Sequence, residues 1–448
     1  MGVLPGQTTR RIRRVGNSLT DHAELLARHK EVLPSWLALY YENPIAIVDG
    51  EGRRVTDAEG NQYLDFFGGI LTTMSGYKIP EVIDAIKRQA DKMLHTSTLY
   101  LIENQIELAE KIADLSGIPD AKVFFTNSGT EANDAALMMM TQFRKSNQIV
   151  AVRGSYHGKS HSSVAITGQR SWSATQVSPL NTVYVHGPYK DRSPFGHLPD
   201  EEFTQACVDD LRNMIEVAVS GPVAGMIAEP IQGVGGFATP PDGFFGAMKS
   251  VLDEEGGLFI SDEVQTGWGR TGEHFWGYQA HGLTPDLLTF AKGLGNGLAM
   301  AGVVGRAEII DCLQANSIST FGGNPLATAG ALANLEYVLG NDLQTNSYKV
   351  GQRLKSGITD IQSRFPGIGE VRGKGLMLGV EFVHGDDKAP DVDTTARVME
   401  EAREAGLLVG KGGLYGNTLR IAPPLSVTEE EADEGLEKLE SAISKATR

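Results

Sequence analysis

A chain of 448 residues, 41% of them hydrophobic, can bury a large core and is long enough for two or three domains. With 40 basic residues against 56 acidic ones, its net charge of −16 repels nucleic acid and anionic membranes, so neither is expected as a partner. Its two cysteines, Cys207 and Cys312, are far apart and form no cysteine–histidine cluster, which excludes a disulfide framework and a structural zinc site and suits a reducing compartment.

The opening "MGVLPGQTTRRIRRVGNSLT" carries arginines and no acid, but no apolar signal core follows it. It reads as a flexible basic arm on a cytoplasmic protein, and no apolar run is long enough to span a membrane. From about Glu81 to Leu339, short apolar strands alternate with longer helical patterns, as in a mostly parallel sheet with helices on its faces. Five segments run from strand to loop: "AKVFFTNSGTEAND", "QIVAVRGSYHGKS", "VAGMIAEPIQG", "GLFISDEVQTG" and "LLTFAKGLGNG". Open α/β sheets bind ligands at such carboxyl ends. Beyond them, "YKVGQRLKSGITDIQSRF" predicts a helix, "GKGLMLGVEFV" and "NTLRIAPPL" predict strands, and "TEEEADEGLEKLESAISKA" a closing amphipathic helix. The expected division is an arm and part of a small domain over 1–75, a large domain over 76–334, and the rest of an α+β small domain over 335–448.

Ser128, Gly129 and Thr130 stand between a strand and a helix, where free N–H groups make an anion site; the plainer reading of Ser128-x-x-Glu131 is a capping box. "RGSYHGKS" misses the spacing of a nucleotide-binding loop, and His157 and His161 lack the partners of a metal site, so no metal is expected. Tyr156, at a strand end, suits stacking on a flat ring. Lys292 follows an apolar strand and precedes three glycines that leave room for something flat; a lysine in such a pocket can lose its proton and attack a carbonyl. Together with Asp262 these residues match one cofactor, pyridoxal 5'-phosphate, which needs an amine for its aldehyde, an anion cradle, an aromatic neighbour and a carboxylate for its ring nitrogen.

In this order, "NSGTEAND", "YHG", "EPIQG", "DEVQTGWGRTG", "AKGLGNG", "TFGGNP" and "RIAPPL" resemble the class III pyridoxal-phosphate aminotransferases, the ornithine, GABA and ω-amino acid group, most nearly the alanine:glyoxylate type, over nearly the whole chain. The resemblance implies an α/β fold of type I, a large domain with a mostly parallel sheet plus a smaller α+β domain. It makes Lys292 the Schiff-base lysine, Asp262 the partner of the pyridinium nitrogen, and Ser128, Gly129 and Thr130 the phosphate cradle. Tyr156 and Val264 would cover the two ring faces, Gln265 would bond the ring hydroxyl, and Glu229 would support the region beside the cofactor. Thr320 would reach the phosphate of the neighbouring subunit in an obligatory homodimer. The implied reaction is a ping-pong transfer from an amino acid or amine donor to a small 2-oxo acid. A phospho-lyase acting on a phosphorylated amine is the alternative on the same scaffold.

Alternation in "TLRIAP" sends Leu419 and Ile421 to one face and Arg420 to the other, as in any half-exposed strand; in the family this arginine binds the substrate α-carboxylate. Ornithine- and GABA-type members place a glutamate after "EPIQG" that pairs with the arginine, but this chain has Val234. Arg420 should then favour α-amino acids such as alanine. Ile70 and Leu71 match substrate-channel positions and are apolar, which implies a partly hydrophobic second substrate.

Overall fold

The computed structural model describes residues 22–175 and 177–447; the basic arm lies outside them. Near the start of the chain, β1 (Ile47–Glu51), β2 (Arg54–Asp57) and β3 (Gln62–Asp65) form an antiparallel meander. The central sheet follows, from β4 (Ala121–Thr126), β5 (Gln148–Val152), β6 (Asn181–Val185), β7 (Val223–Ala228), β8 (Leu258–Asp262), β9 (Leu287–Phe290) and β10 (Ala301–Arg306). Its order is β4-β10-β9-β8-β7-β5-β6, parallel except for β10, which runs antiparallel to both β4 and β9.

Period-two alternation assigns the two faces of this sheet. Ile149, Ala151, Leu258 and Ile260 pack under the helix Gly129–Arg144, against Ala132, Ala136 and Met140. Val150, Val152 and Phe259 face the other way, against Phe203, Phe244 and Met248 of two further helices. With both faces covered, the middle strands are continuous apolar runs rather than half-polar ones.

The remaining strands are β11 (Ile368–Lys374), β12 (Met377–His384), β13 (Ala389–Pro390), β14 (Leu407–Leu408), β15 (Gly410–Gly412) and β16 (Thr418–Ile421). The stretch expected as one strand, "GKGLMLGVEFV", is a hairpin: Gly375, at φ +52°, turns β11 back into β12. β14 pairs with β3, so the two ends of the chain share one sheet. The closing helix Glu429–Ala446 begins at a true capping box formed by Thr428 and Glu431. Among the described residues, no helix is long and apolar enough to cross a membrane.

Candidate active site

Asp262 ends β8 on the same face as Leu258 and Ile260, which aims it at the start of the helix Gly129–Arg144. It is 4% exposed, and three donors converge on it: His157 Nδ1 at 2.7 Å and Asn133 Nδ2 at 2.8 Å on one oxygen, and the Val264 N–H at 3.1 Å on the other. Asn133 is itself fixed, donating to His157 O at 2.8 Å and accepting from Thr289 Oγ1 at 2.7 Å. A carboxylate that only accepts is thereby held rigid beneath a cavity of about 400 Å³. Sequence reasoning weighed His157 only as a metal ligand and passed over Asn133. Their adjacency to Tyr156 and to the phosphate-site serine was the available signal.

The cavity wall brings together Ser128, Gly129, Thr130, Tyr156, Glu229, Asp262, Val264, Gln265 and Lys292. Lys292 sits in a left-handed conformation, φ +47°, at the start of a tight turn after β9. Such backbone strain persists only where the surroundings impose it. Asn334 does so here, donating to the carbonyls of both Gly293 and Leu294 at 3.0 Å. Burial lowers the Lys292 amine to about 8, against the opposing pull of Asp262 and Glu229, so about a tenth of it is neutral at pH 7, far more than for an ordinary lysine. The neighbouring glycines do not serve the cavity as expected: a Cβ on Gly293 would lie 2.7 Å from Met74 Sδ, and one on Gly295 3.3 Å from Met300 Cβ. They permit close packing behind the lysine; only Gly297 of the three lines the cavity.

At the opposite end Ser128 is the N-cap, its Oγ accepting from Glu131 N at 3.3 Å. The Glu131 carboxylate returns to Asn127 N at 3.0 Å, one residue before the position a capping box uses. The cap leaves the first-turn N–H groups of a 16-residue helix facing the cavity, a favourable place for a phosphate. Space is tight at this end, since a Cβ on Gly129 would be 3.2 Å from Val264 Cγ2. Between the ends, Gln265 is 8% exposed and its Oε1 has no partner among the described residues. A flat anionic aldehyde carrying a ring hydroxyl would give that acceptor a donor, and Asp262 a basic ring nitrogen. The residues fit pyridoxal phosphate.

Glu229 is buried and accepts from the N–H groups of Tyr156 at 2.9 Å and Gly233 at 2.8 Å. Burial raises its carboxyl above the usual range, with His157 opposing and Asp262 adding to the rise. Arg420 is 1% exposed in a strand that is buried throughout, so the half-exposed strand suggested by alternation is not what forms. It donates to Lys411 O at 3.0 Å, Tyr40 Oη at 3.2 Å and Gly233 O at 3.3 Å, and its guanidinium lies 4.8 Å from the Phe67 ring centre. Each hydrogen-bond partner is a neutral oxygen.

Four residues named from the sequence are not in the cavity wall: Arg420, which is buried beside it and close enough for its charge to act on Lys292, and three others. Leu71 is buried in an apolar cluster with Phe67, Ile231 and Phe237, Ile70 is exposed, and neither lines the cavity; Thr72 does. Thr320 is exposed and outside the cavity of its own chain. Gly68, Gly69, Ile70 and Leu71 form a left-handed turn with φ of 52°, 59°, 66° and 61°. It is anchored by Asp65, which accepts from Phe67 N at 2.9 Å and Gly68 N at 3.0 Å. A β-branched side chain is poorly suited to that conformation. Ile70→Gly should therefore stabilise the protein by ~1 kcal/mol, read as a rise in the denaturant midpoint at constant slope.

The chain matches the family described as Aminotransferase class-III over residues 38–443. It is 40% identical to the mitochondrial alanine–glyoxylate aminotransferase 2 homolog 2 of Arabidopsis thaliana over 426 residues, covering 94% of this chain and 87% of that protein. Among solved structures, a thermostable (S)-enantioselective ω-transaminase from Thermomicrobium roseum superposes with a TM-score of 0.88 at 33% identity, covering 95% of this chain and 99% of the other. A phospholyase from Arthrobacter, in complex with phosphoethanolamine, reaches 0.86 at 31% identity, with 94% and 99% covered. Fold, cavity and sequence thus agree that this chain belongs to the class III aminotransferases, enzymes of fold type I that depend on pyridoxal phosphate.

Proposed function

We propose that the enzyme takes its amino group from a small α-amino acid such as alanine and passes it to a small 2-oxo acid. The observation that carries this is Arg420, buried among neutral oxygens with Val234 where a pairing glutamate would stand. A buried guanidinium without an anionic partner is costly, and burial lowers its pKa. A substrate carboxylate would relieve that cost through a bidentate pair.

When bound, pyridoxal phosphate supplies an aldehyde for amine exchange and a ring that takes up the electron pair released at the donor carbon. The chain supplies the rest. Lys292, neutral for part of the time, would hold the cofactor and then carry a proton between donor carbon and cofactor. Ser128, Gly129 and Thr130 would bind the phosphate, Tyr156 and Val264 flank the ring, and Gln265 accept from its hydroxyl. Asp262 would face the ring nitrogen, with His157 and Asn133 fixing its angle. Glu229 ties the Tyr156 backbone to the loop beneath Arg420. We further propose a cytoplasmic homodimer in which Thr320 completes the phosphate site of its partner. Support comes from the exposed apolar side chains Ile318 and Phe321 beside it and the nearby Leu99, Tyr100 and Leu101, an unusual concentration for a free surface.

Arg420→Ala should raise the ratio of KM for L-alanine to KM for 1-phenylethylamine, a donor without a carboxylate, by about 100-fold, the worth of two charge-assisted hydrogen bonds. An unchanged ratio in steady-state kinetics would remove Arg420 from the carboxylate site. Phosphate release from phosphoethanolamine without an acceptor, measured in parallel, would instead favour the lyase reading that the Arthrobacter structure keeps in view.

A further inference from the structure

Arg420 rests on the loop between Gly233 and Phe237, donating to Gly233 O at 3.3 Å and lying 5.7 Å from the Phe237 ring centre. A second buried arginine grips this loop from the same sheet face, since Arg372 and Arg420 both stand opposite Gly379. Arg372, on β11, is 5% exposed and donates Nε–H to Gly236 O at 2.9 Å. Its Nη1 donates to Glu381 at 2.6 Å and also to Glu370, and its Nη2 to Thr418 Oγ1 at 3.2 Å, while its guanidinium lies 4.6 Å from the Tyr189 ring centre. Glu381, on β12 and 2% exposed, is held by Arg192 at 2.7 Å, by Asn417 at 3.2 Å and by the Tyr189 hydroxyl.

Gly236 is closely confined. A Cβ on it would lie 2.8 Å from Gly413 Cα, and a Cβ on Gly379 would lie 2.6 Å from Gly236 O. The same loop is joined to the stretch after β15 by Gly413 N donating to Val234 O at 2.9 Å, and β15 supplies the Lys411 carbonyl that takes the Arg420 Nε–H. Buried ion pairs add little net stability, because desolvation offsets their attraction, but they fix geometry. Here the geometry fixed is the floor under Arg420.

We propose that Arg372, itself oriented by Glu381, is a positioning residue that sets the Gly233–Phe237 loop so that Arg420 meets a substrate carboxylate. This rests on reading Arg420 as the carboxylate site. Arg372 touches neither substrate nor cofactor, and acts through Gly236 O. Its loss should therefore weaken carboxylate recognition more than amine binding, with only a smaller displacement passed to Tyr156 through Gly233 N and Glu229.

The test is Arg372→Lys in the cofactor-loaded enzyme. One ammonium can keep the pair with Glu381 but cannot also span to Gly236 O as a planar fork does. The ratio of KM for L-alanine to KM for 1-phenylethylamine should rise about tenfold, the worth of one hydrogen bond to a charged group. The dissociation constant of propionate, a carboxylate with no amine, should rise by the same factor in calorimetry, and the cofactor should remain attached to Lys292, as read by borohydride reduction and peptide mass analysis. An unaltered ratio, or propionate binding that does not move, overturns the proposal. If Arg372→Lys fails to fold, Glu381→Gln decides: it keeps the side chain's shape, removes the charge that orients Arg372, and must give the same loss of carboxylate preference. If Arg420→Ala leaves that ratio unchanged, it is the reading of Arg420 that fails, whatever Arg372 does.

Discussion

Lys292→Ala should lower the single-turnover rate with L-alanine by about 10⁴-fold, since it removes both the proposed attachment point and the proton carrier. Borohydride reduction followed by peptide mass analysis should place the cofactor on the Lys292 peptide of the parent enzyme and on no peptide of the variant. The pH dependence is specific too. With the amine lowered to about 8, attachment of added cofactor to the apoprotein should speed up as pH rises through 8 and then level off. A surface lysine, with a pKa of about 10.4, would keep accelerating well beyond that point. Stability follows the same group. The folded state disfavours the protonated amine, so its penalty is full below pH 8 and is relieved as pH rises from 8 towards the unfolded value. Apoprotein stability should gain at most ~3 kcal/mol over that window, and Lys292→Met should abolish the slope in urea titrations. A slope retained in the methionine variant would assign it to another group.

How much of this was legible in the sequence depended on range. Strand ends carrying Ser128, Tyr156, Glu229, Asp262 and Lys292 could be read because each is a local change from an apolar run to glycine and polar residues. Their convergence follows from a parallel sheet, whose strands point the same way. β10 was not legible: its apolar run gives no direction, and only its pairing with β4 and β9 reveals that it is antiparallel. The contacts of Asp262 with Asn133 and His157 span more than 100 residues and leave no periodic trace. Alternation misled at Arg420, because the face it points to is covered by Tyr40, Phe67 and the Gly233–Phe237 loop. It was silent at Ile70 and Leu71, whose left-handed backbone turns Leu71 into the core. The three glycines after Lys292 suggest cofactor space, whereas two of them answer to Met74 and Met300.

Asp262→Asn should reduce the same single-turnover rate by about 10²- to 10³-fold, the usual worth of a preorganised charge facing a reacting group. The change is nearly isosteric, so the argument is electrical. Donors converge on both oxygens of Asp262, Val264 N on one and His157 Nδ1 with Asn133 Nδ2 on the other, so an amide must turn its NH₂ toward one set. That leaves at least one buried donor unpaired, at a cost of ~1–3 kcal/mol. His157 would be disturbed most, because among the described residues its Nε2 is buried without a partner and Nδ1 has only this acceptor. The charge change has a second, separable reading. Asp262 and Glu229 both raise the Lys292 amine, so removing either should move the attachment midpoint below 8. Glu229→Gln and Asp262→Asn should thus shift the midpoint the same way, but only the latter should lose the electron-sink contribution and its 10²-fold or greater rate, by order of magnitude. If Glu229→Gln slows the chemical step as severely once pH is raised to match, the special role assigned to Asp262 is wrong, and the two carboxylates act on the cofactor only through the charge they place near Lys292.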